Sequence, residues 1–355
     1  MKKHTSYFLP RIDAMEGYAP GEQPKLPDLV KLNTNESPFP PAPGVSKALA
    51  GFEAARLRLY PDPVADAVRA ELAAQFCPGV SADNVIAGNG SDDILNIAVR
   101  CFCDAERPVA FLDPSYSLYP TLAGLQGAEM IRIPLKEDFS LPDDLLSRAE
   151  RANLLIITRP NAPTGNLFPR AEMERICAGF DGIVLIDEAY ADFSDDNCAD
   201  FAVRFPNVIV ARTFSKSRCL AGLRFGYAVA DRTVIAGMMK MKDSYNVSML
   251  AQILALESLR DRPYFKDCVR RIRATRERLA DGLRGLGFRV IPSQTNFLFA
   301  EPPDGDGGAY FAKLRERSII VRYFKGDVTG RFVRITVGTD EQADRLLNLS
   351  AELYR

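Results

Sequence analysis

Lys216 stands in the run TFSKSRCLAGLR (213–224), and its amine is a nucleophile that can condense with a carbonyl group. Thr213 and Ser215 precede it and Arg224 follows, so an anion beside the amine would meet two hydroxyls and a guanidinium. Taken alone, a lysine after a serine is also an ordinary solvated residue. A second segment, IDEAY (186–190), ends an apolar strand on Asp187, with Glu188 and Tyr190 close behind. Beside a pyridine ring, Asp187 would pair with the ring nitrogen and keep it protonated, because an opposite charge favours the charged form. The competing reading is a helix N-cap, where Asp is common.

Three further fragments have comparable character. AGNGSDD (87–93) is a glycine turn leading into a helix, so the backbone amides of Ser91 and Asp92 face outward at a positive dipole end that suits a phosphate. Tyr116, in DPSYSLY (113–119), follows a strand and offers a face to stack on a flat ring. RPNAPTG (159–165) forms a rigid turn in which a polar side chain would have a fixed aim. Each also has a plain structural reading: a serine-started helix, a core tyrosine, a turn.

The elements that must carry these residues follow from periodicity. Short β-branched runs at 84–88, 108–112, 129–134, 153–158, 183–187, 207–212 and 226–229 make about seven strands. Helical stretches at 91–104, 116–127, 141–150 and 169–179 lie between them, which predicts an α/β fold whose mainly parallel sheet is covered on both faces. Ligands in such folds bind beyond the carboxyl ends of strands. Helices are also expected over 45–56 and 64–77, around the turn LYPDP (59–63). After about residue 245 the pattern changes to one long charged helix region over 249–286, strands within 288–300, 319–324 and 332–338, and a terminal helix. DGDGG (304–308) reads as a surface loop. The expected division is an N-terminal arm and small-domain segment (1–44), a large domain (45–245) and a small α+β domain (246–355).

With 355 residues, a large domain with a smaller companion is the default. Forty-five basic against 46 acidic side chains leave no charge excess for nucleic acid or an anionic membrane. No stretch approaches about eighteen uncharged apolar residues, and the start has no apolar leader core, so a soluble cytosolic protein is expected. Seven cysteines without metal-type spacing read as reduced thiols, with Cys101 and Cys103 in a buried helix. The single histidine, His4, lies near a terminus, which excludes His-based triads and His-ligated zinc; no metal site is expected. Proton transfer would fall to lysine or carboxylate.

The fragments recur in a set order: phosphate turn, aromatic, rigid turn, strand-end Asp, lysine, arginine. In that order, together with GYAPG (17–21), KLNTNESPFPPAP (31–43), LYPDP and VRITVGT (333–339), the chain resembles fold-type I pyridoxal-phosphate enzymes and, over nearly its whole length, the histidinol-phosphate aminotransferase family. The resemblance implies pyridoxal 5'-phosphate carried on Lys216, which also shuttles the proton. Asp187 would meet the ring nitrogen, Tyr190 the ring oxygen, and Tyr116 the ring face. Ser91, Asp92, Thr213, Ser215 and Arg224 would hold the phosphate, and Tyr60 would reach the phosphate of a neighbouring subunit, which implies a homodimer with shared sites. Where the family has Asn before Pro-Thr-Gly this chain has Ala162, so the ring-oxygen bond would come from Asn161, one residue earlier, by a shifted backbone or through water, or from Tyr190 alone. Arg334 and Arg322 would clamp a carboxylate or phosphate with Tyr18, with Asn296 and Asn246 as secondary candidates. The implied reaction passes the amino group of L-histidinol phosphate to 2-oxoglutarate, in histidine biosynthesis.

Threonine-phosphate decarboxylases of cobalamin synthesis are the nearest alternative, but they commonly place proline before the glycine that is Gly222 here, where this chain has Ala221. A broad aromatic aminotransferase is the other neighbouring reading. A non-catalytic regulator module would need an appended DNA-binding domain, and conversion of bound cofactor to its amine form by an amino donor would separate enzyme from passive binder.

Overall fold

The computed structural model describes residues 6–18, 21–25 and 27–354. His4, and Ala19 and Pro20 of GYAPG, lie outside them. The seven-stranded sheet expected from the sequence is present, in the order Val85–Gly88, Gly226–Ala230, Val208–Thr213, Ile183–Asp187, Leu154–Thr158, Val109–Asp113, Met130–Pro134. Only Gly226–Ala230 runs antiparallel to its neighbours. The central strands LLIIT, IVLID and VIVART are almost wholly buried, because helices cover both faces and every second side chain must be apolar on each.

Two apolar cores follow from the pleat. Leu155, Ile157, Val184 and Val210 face one, with Val68, Leu72 and Ile176 from the covering helices. Leu154, Ile156, Leu185 and Ile209 face the other, with Ile94, Leu122 and Met238. A third core, of Leu279, Leu283, Leu298, Tyr310, Val333 and Leu346, lies on an antiparallel sheet of Arg322–Tyr323, Val333–Thr336, Phe297–Glu301 and Arg289–Val290. The N-terminal segment joins this part: Val30–Lys31 pairs in parallel with Ile319–Ile320.

Several local expectations need correction. The helix region over 249–286 is two helices, Met249–Arg260 and Arg262–Gly285. Asp261 breaks it, accepting from Tyr264 N as a cap, and Pro263 has no N–H to continue the ladder. Ala251, Leu254, Ala255 and Leu259 of the first helix pack into a core of the seven-stranded sheet, so the boundary expected at 245/246 precedes a helix that the first unit keeps. IIVRYF is two short strands in different sheets, since Ile319–Ile320 pairs with the N-terminal segment and Arg322–Tyr323 with Val333–Thr336. DGDGG opens a helix at Gly307, capped by Asp306 through Ala309 N. Cys103 lies just past the end of helix Ser91–Phe102, and all seven cysteines are free thiols. Among the described residues no helix is long and apolar enough to cross a membrane.

Candidate active site

The carboxyl ends of the parallel strands lie along one edge, and the antiparallel strand begins at that same edge because Gly226 is in register with both Gly88 and Thr213. This register brings Arg224 back beside the turn after Gly88. A cavity of about 370 Å³ opens there. Ser91, Asp92, Tyr116, Asp187, Tyr190, Thr213, Ser215, Lys216 and Arg224 line it, with Tyr18, Arg322 and Arg334 on the side of the smaller sheet.

The anion grip is built from three chain segments. Helix Ser91–Phe102 starts after Gly90, so its first amides have no partner within the helix. Arg224 sits at φ +53°, uncommon outside glycine, and its Nη2 lies 3.0 Å from Asp92 Oδ2 while Nη1 reaches Ser215 Oγ at 3.4 Å. Thr213 Oγ1 donates to Ser215 Oγ at 3.0 Å. Two glycines make room: a Cβ on Gly90 (φ +85°) would lie 2.5 Å from Arg224 Nη2, and one on Gly226 would lie 2.5 Å from Gly90 C. The Gly226 clash is with backbone, which cannot swing aside. Gly226→Ala is expected to cost about 1–3 kcal/mol and to spread this grip; thermal unfolding and phosphate binding to the variant measure both.

Asp187 ends its strand and Glu188 follows it, and the two side chains go to different partners. Glu188 pairs with Arg212, away from the cavity. The buried Asp187 carboxylate accepts from Tyr119 Oη at 2.8 Å and from Ala189 N at 3.1 Å. Burial pushes its pKa up to about 6, although both hydrogen bonds oppose the shift. Tyr119 Oη is also 2.6 Å from Thr158 Oγ1. Tyr116 meets Tyr119 edge-on, with centroids 5.6 Å apart, and its hydroxyl donates to Asp92 at 3.2 Å.

Lys216 Nζ donates to the Thr34 carbonyl at 3.2 Å and lies 5.9 Å from the centre of the Tyr190 ring. Burial, reinforced by the positive charge of Arg334, lowers its pKa to about 8. The Tyr190 hydroxyl accepts from Asn35 Nδ2 at 2.9 Å. Arg334 donates to Asn33 O at 3.1 Å, stacks near Phe297 and Phe324, and keeps a buried Nε with no partner among the described residues. Arg322 stands opposite Arg334 in strand register. Tyr18 meets Tyr116 edge-on at 6.2 Å.

Four expected residues fall outside the cavity. Asn161 is buried, and its amide is spent on Pro114 O at 3.1 Å and Thr164 Oγ1 at 2.7 Å, bracing its own turn; Ala162 and Pro163 line the wall instead. Asn296 is buried behind the wall, donating to Asn35 O at 3.0 Å. Asn246 donates to Ala87 O and Asp93 Oδ2, both at 3.0 Å, tying its loop to the phosphate turn. Tyr60 is 78% exposed and stacks on Tyr245 at 4.4 Å, away from the cavity of its own chain. Sequence reasoning missed Asn35, Thr34 and Tyr119. Asn35 stands in the quoted KLNTNESP run at φ +56°, a conformation asparagine tolerates, and Tyr119 follows Tyr116 at helical spacing.

The family model for aminotransferase class I and II matches residues 27–349. A histidinol-phosphate aminotransferase of Microcystis aeruginosa is 46% identical, covering 98% of this chain and 99% of its own. Histidinol-phosphate aminotransferase 2 of Thiobacillus denitrificans is 47% identical, covering 97% of both. Among solved structures, the histidinol-phosphate aminotransferase of Sinorhizobium meliloti in complex with pyridoxal-5'-phosphate superposes with a TM-score of 0.87 at 25% identity, covering 99% of both chains. Such agreement over nearly the full length, with the lysine, the strand-end carboxylate and the anion grip in one cavity, has one reading: the chain belongs to the aminotransferase class I and II family.

Proposed function

We propose that this protein transfers the amino group of L-histidinol phosphate to 2-oxoglutarate, yielding imidazole acetol phosphate and glutamate, with pyridoxal 5'-phosphate as cofactor. The observation that carries the reading is that one cavity holds a reactive amine between two separate anion grips: Ser91, Thr213, Ser215 and Arg224 on one side, Arg322 and Arg334 on the other. Two phosphates, one of cofactor and one of substrate, match two grips.

The residues present fit the cofactor. Asp187 is buried and costly as a carboxylate, as expected of a group awaiting a cationic ring nitrogen, and the Gly90–Gly226 cradle would close if either carried a side chain. Pyridoxal phosphate supplies an aldehyde for a covalent link to an amine and a ring that accepts the electrons left on carbon when a proton departs. Lys216, its pKa lowered by burial to about 8, gives up its proton far more readily than an exposed lysine, and as the free amine it can take a proton from the substrate carbon and return it. Tyr116 would offer its ring as a stacking face, and Tyr190, whose hydroxyl is held by Asn35, would hydrogen-bond the ring oxygen. Arg334 and Arg322 draw in the anionic end of the substrate and fix its orientation by paired hydrogen bonds.

Two copies would share their sites. Tyr60, Leu57 and Leu59 are 78%, 58% and 53% exposed, an apolar group suited to burial against a second chain. Incubating the purified holoenzyme with L-histidinol phosphate should convert bound cofactor to its amine form, and 2-oxoglutarate should restore it with release of glutamate. Turnover of aromatic amino acids without any of histidinol phosphate, or carbon dioxide release from threonine phosphate, would overturn the assignment.

A further inference from the structure

Three carboxylates line the cavity, and two are committed. Asp92 holds Arg224 and accepts from Tyr116, and Asp187 is held by Tyr119 and Ala189 N. The third, Glu36, has Oε2 on Lys31, while Oε1 has no hydrogen-bond partner among the described residues. That ion pair is partly exposed, with Glu36 at 43% and Lys31 at 21% side-chain exposure, and such pairs hold a carboxylate only loosely.

The backbone that carries Glu36 is not loose. Asn35 N donates to Thr336 Oγ1 at 2.9 Å, Thr336 Oγ1 donates to Asn35 Oδ1 at 3.1 Å, and Asn296 Nδ2 donates to Asn35 O at 3.0 Å. One residue further back, Thr34 O receives the Lys216 amine. Glu36 is therefore mounted on a pinned segment two residues from the carbonyl that orients the reactive nitrogen. Its charge is felt at that amine, where it opposes the effect of burial. With Arg322 and Arg334 drawing the anionic end of a substrate, the uncommitted carboxylate suits a second substituent that donates an N–H.

We propose that Glu36 sets donor specificity, accepting through Oε1 a hydrogen bond from the imidazole N–H of L-histidinol phosphate; this rests on the substrate reading above. A carboxylate prefers the cationic ring, so its contribution grows as pH falls through the usual imidazole range near about 6.5. Losing a charge-assisted bond of this kind costs about 10- to 100-fold.

The test is the ratio of kcat/KM for L-histidinol phosphate to that for L-glutamate in wild type, Glu36→Gln and Lys31→Met, with the cofactor absorbance per chain and thermal unfolding confirming that each variant is folded. Glu36→Gln should lower the ratio about 10- to 100-fold, more at pH 5.5 than at pH 8, while Lys31→Met leaves it within about threefold. If wild type uses histidinol phosphate and Glu36→Gln keeps the ratio, or if Lys31→Met lowers it equally, Glu36 serves only its ion pair and the proposal fails while the substrate reading stands. If wild type does not use histidinol phosphate, both fail.

Discussion

Lys216→Ala is expected to lower transamination by at least about 10⁴-fold, because the same amine both carries the cofactor and moves the proton, and losses in shared roles compound. Lys216→Arg should do no better, since a guanidinium neither condenses with an aldehyde nor gives up its proton near neutral pH. Two measurements check this. Single-turnover formation of imidazole acetol phosphate reads the chemical step. Borohydride reduction followed by peptide mass analysis should leave the cofactor mass on the peptide containing residue 216 in wild type and on none in either variant. Residual activity within about 100-fold of wild type would place the proton transfer on another group.

The second large effect pairs a loss with a gain. Asp187→Asn should reduce kcat by about 10²- to 10³-fold, since a neutral amide cannot hold a protonated ring nitrogen as a carboxylate does. The same change should stabilise the apoprotein. The Asp187 pKa is raised from 3.8 to about 6 by burial, so between those values the folded chain binds more protons than the unfolded chain and stability falls as pH rises. Above about pH 6 the penalty is fully present, of order 3 kcal/mol; below about pH 4 both states are protonated and it vanishes. Apo Asp187→Asn should therefore melt a few degrees above apo wild type at pH 7.5, with the gap closing toward pH 4. A gap that is absent at pH 7.5, or that persists at pH 4, would show that Asp187 ionises without strain. The cofactor removes the penalty by supplying an opposite charge, so the holoenzymes should reverse the order.

The residues that proved easiest to read from sequence are those whose position follows from a strand's end. Asp187 and Thr213 terminate apolar runs, and in a parallel sheet all such ends share one edge, so placing them together needs only the strand count and direction. Ser91 and Asp92 follow the same rule through the turn after Gly88. Asn161 fails it. It also follows a strand, but its amide has Pro114 O and Thr164 Oγ1 within reach, and a buried amide satisfies its hydrogen bonds wherever partners stand. Nothing in RPNAPTG reveals that Pro114, 47 residues earlier, will be one of them. The split of IIVRYF has the same origin: its apolar pattern is continuous, yet its two halves find partners 289 and about a dozen residues away, in different sheets.

By itself the sequence determined the chemistry available: one lysine flanked by hydroxyls and an arginine, a carboxylate at a strand end, no usable histidine, and the periodicities that produce a covered parallel sheet. These are local properties, set by residue type and by the two-residue and 3.6-residue repeats of the backbone. Only the tertiary structure decided which groups those residues face. It returned Arg224 to the phosphate turn through the antiparallel strand, gave Asp187 its Tyr119 donor, set Asn35 on Tyr190, and placed Glu36 at the cavity wall with only one of its oxygens bonded among the described residues. Side-chain direction at a strand end is chosen by hydrogen-bond partners from distant parts of the chain, and those partners exist only once the sheets have packed.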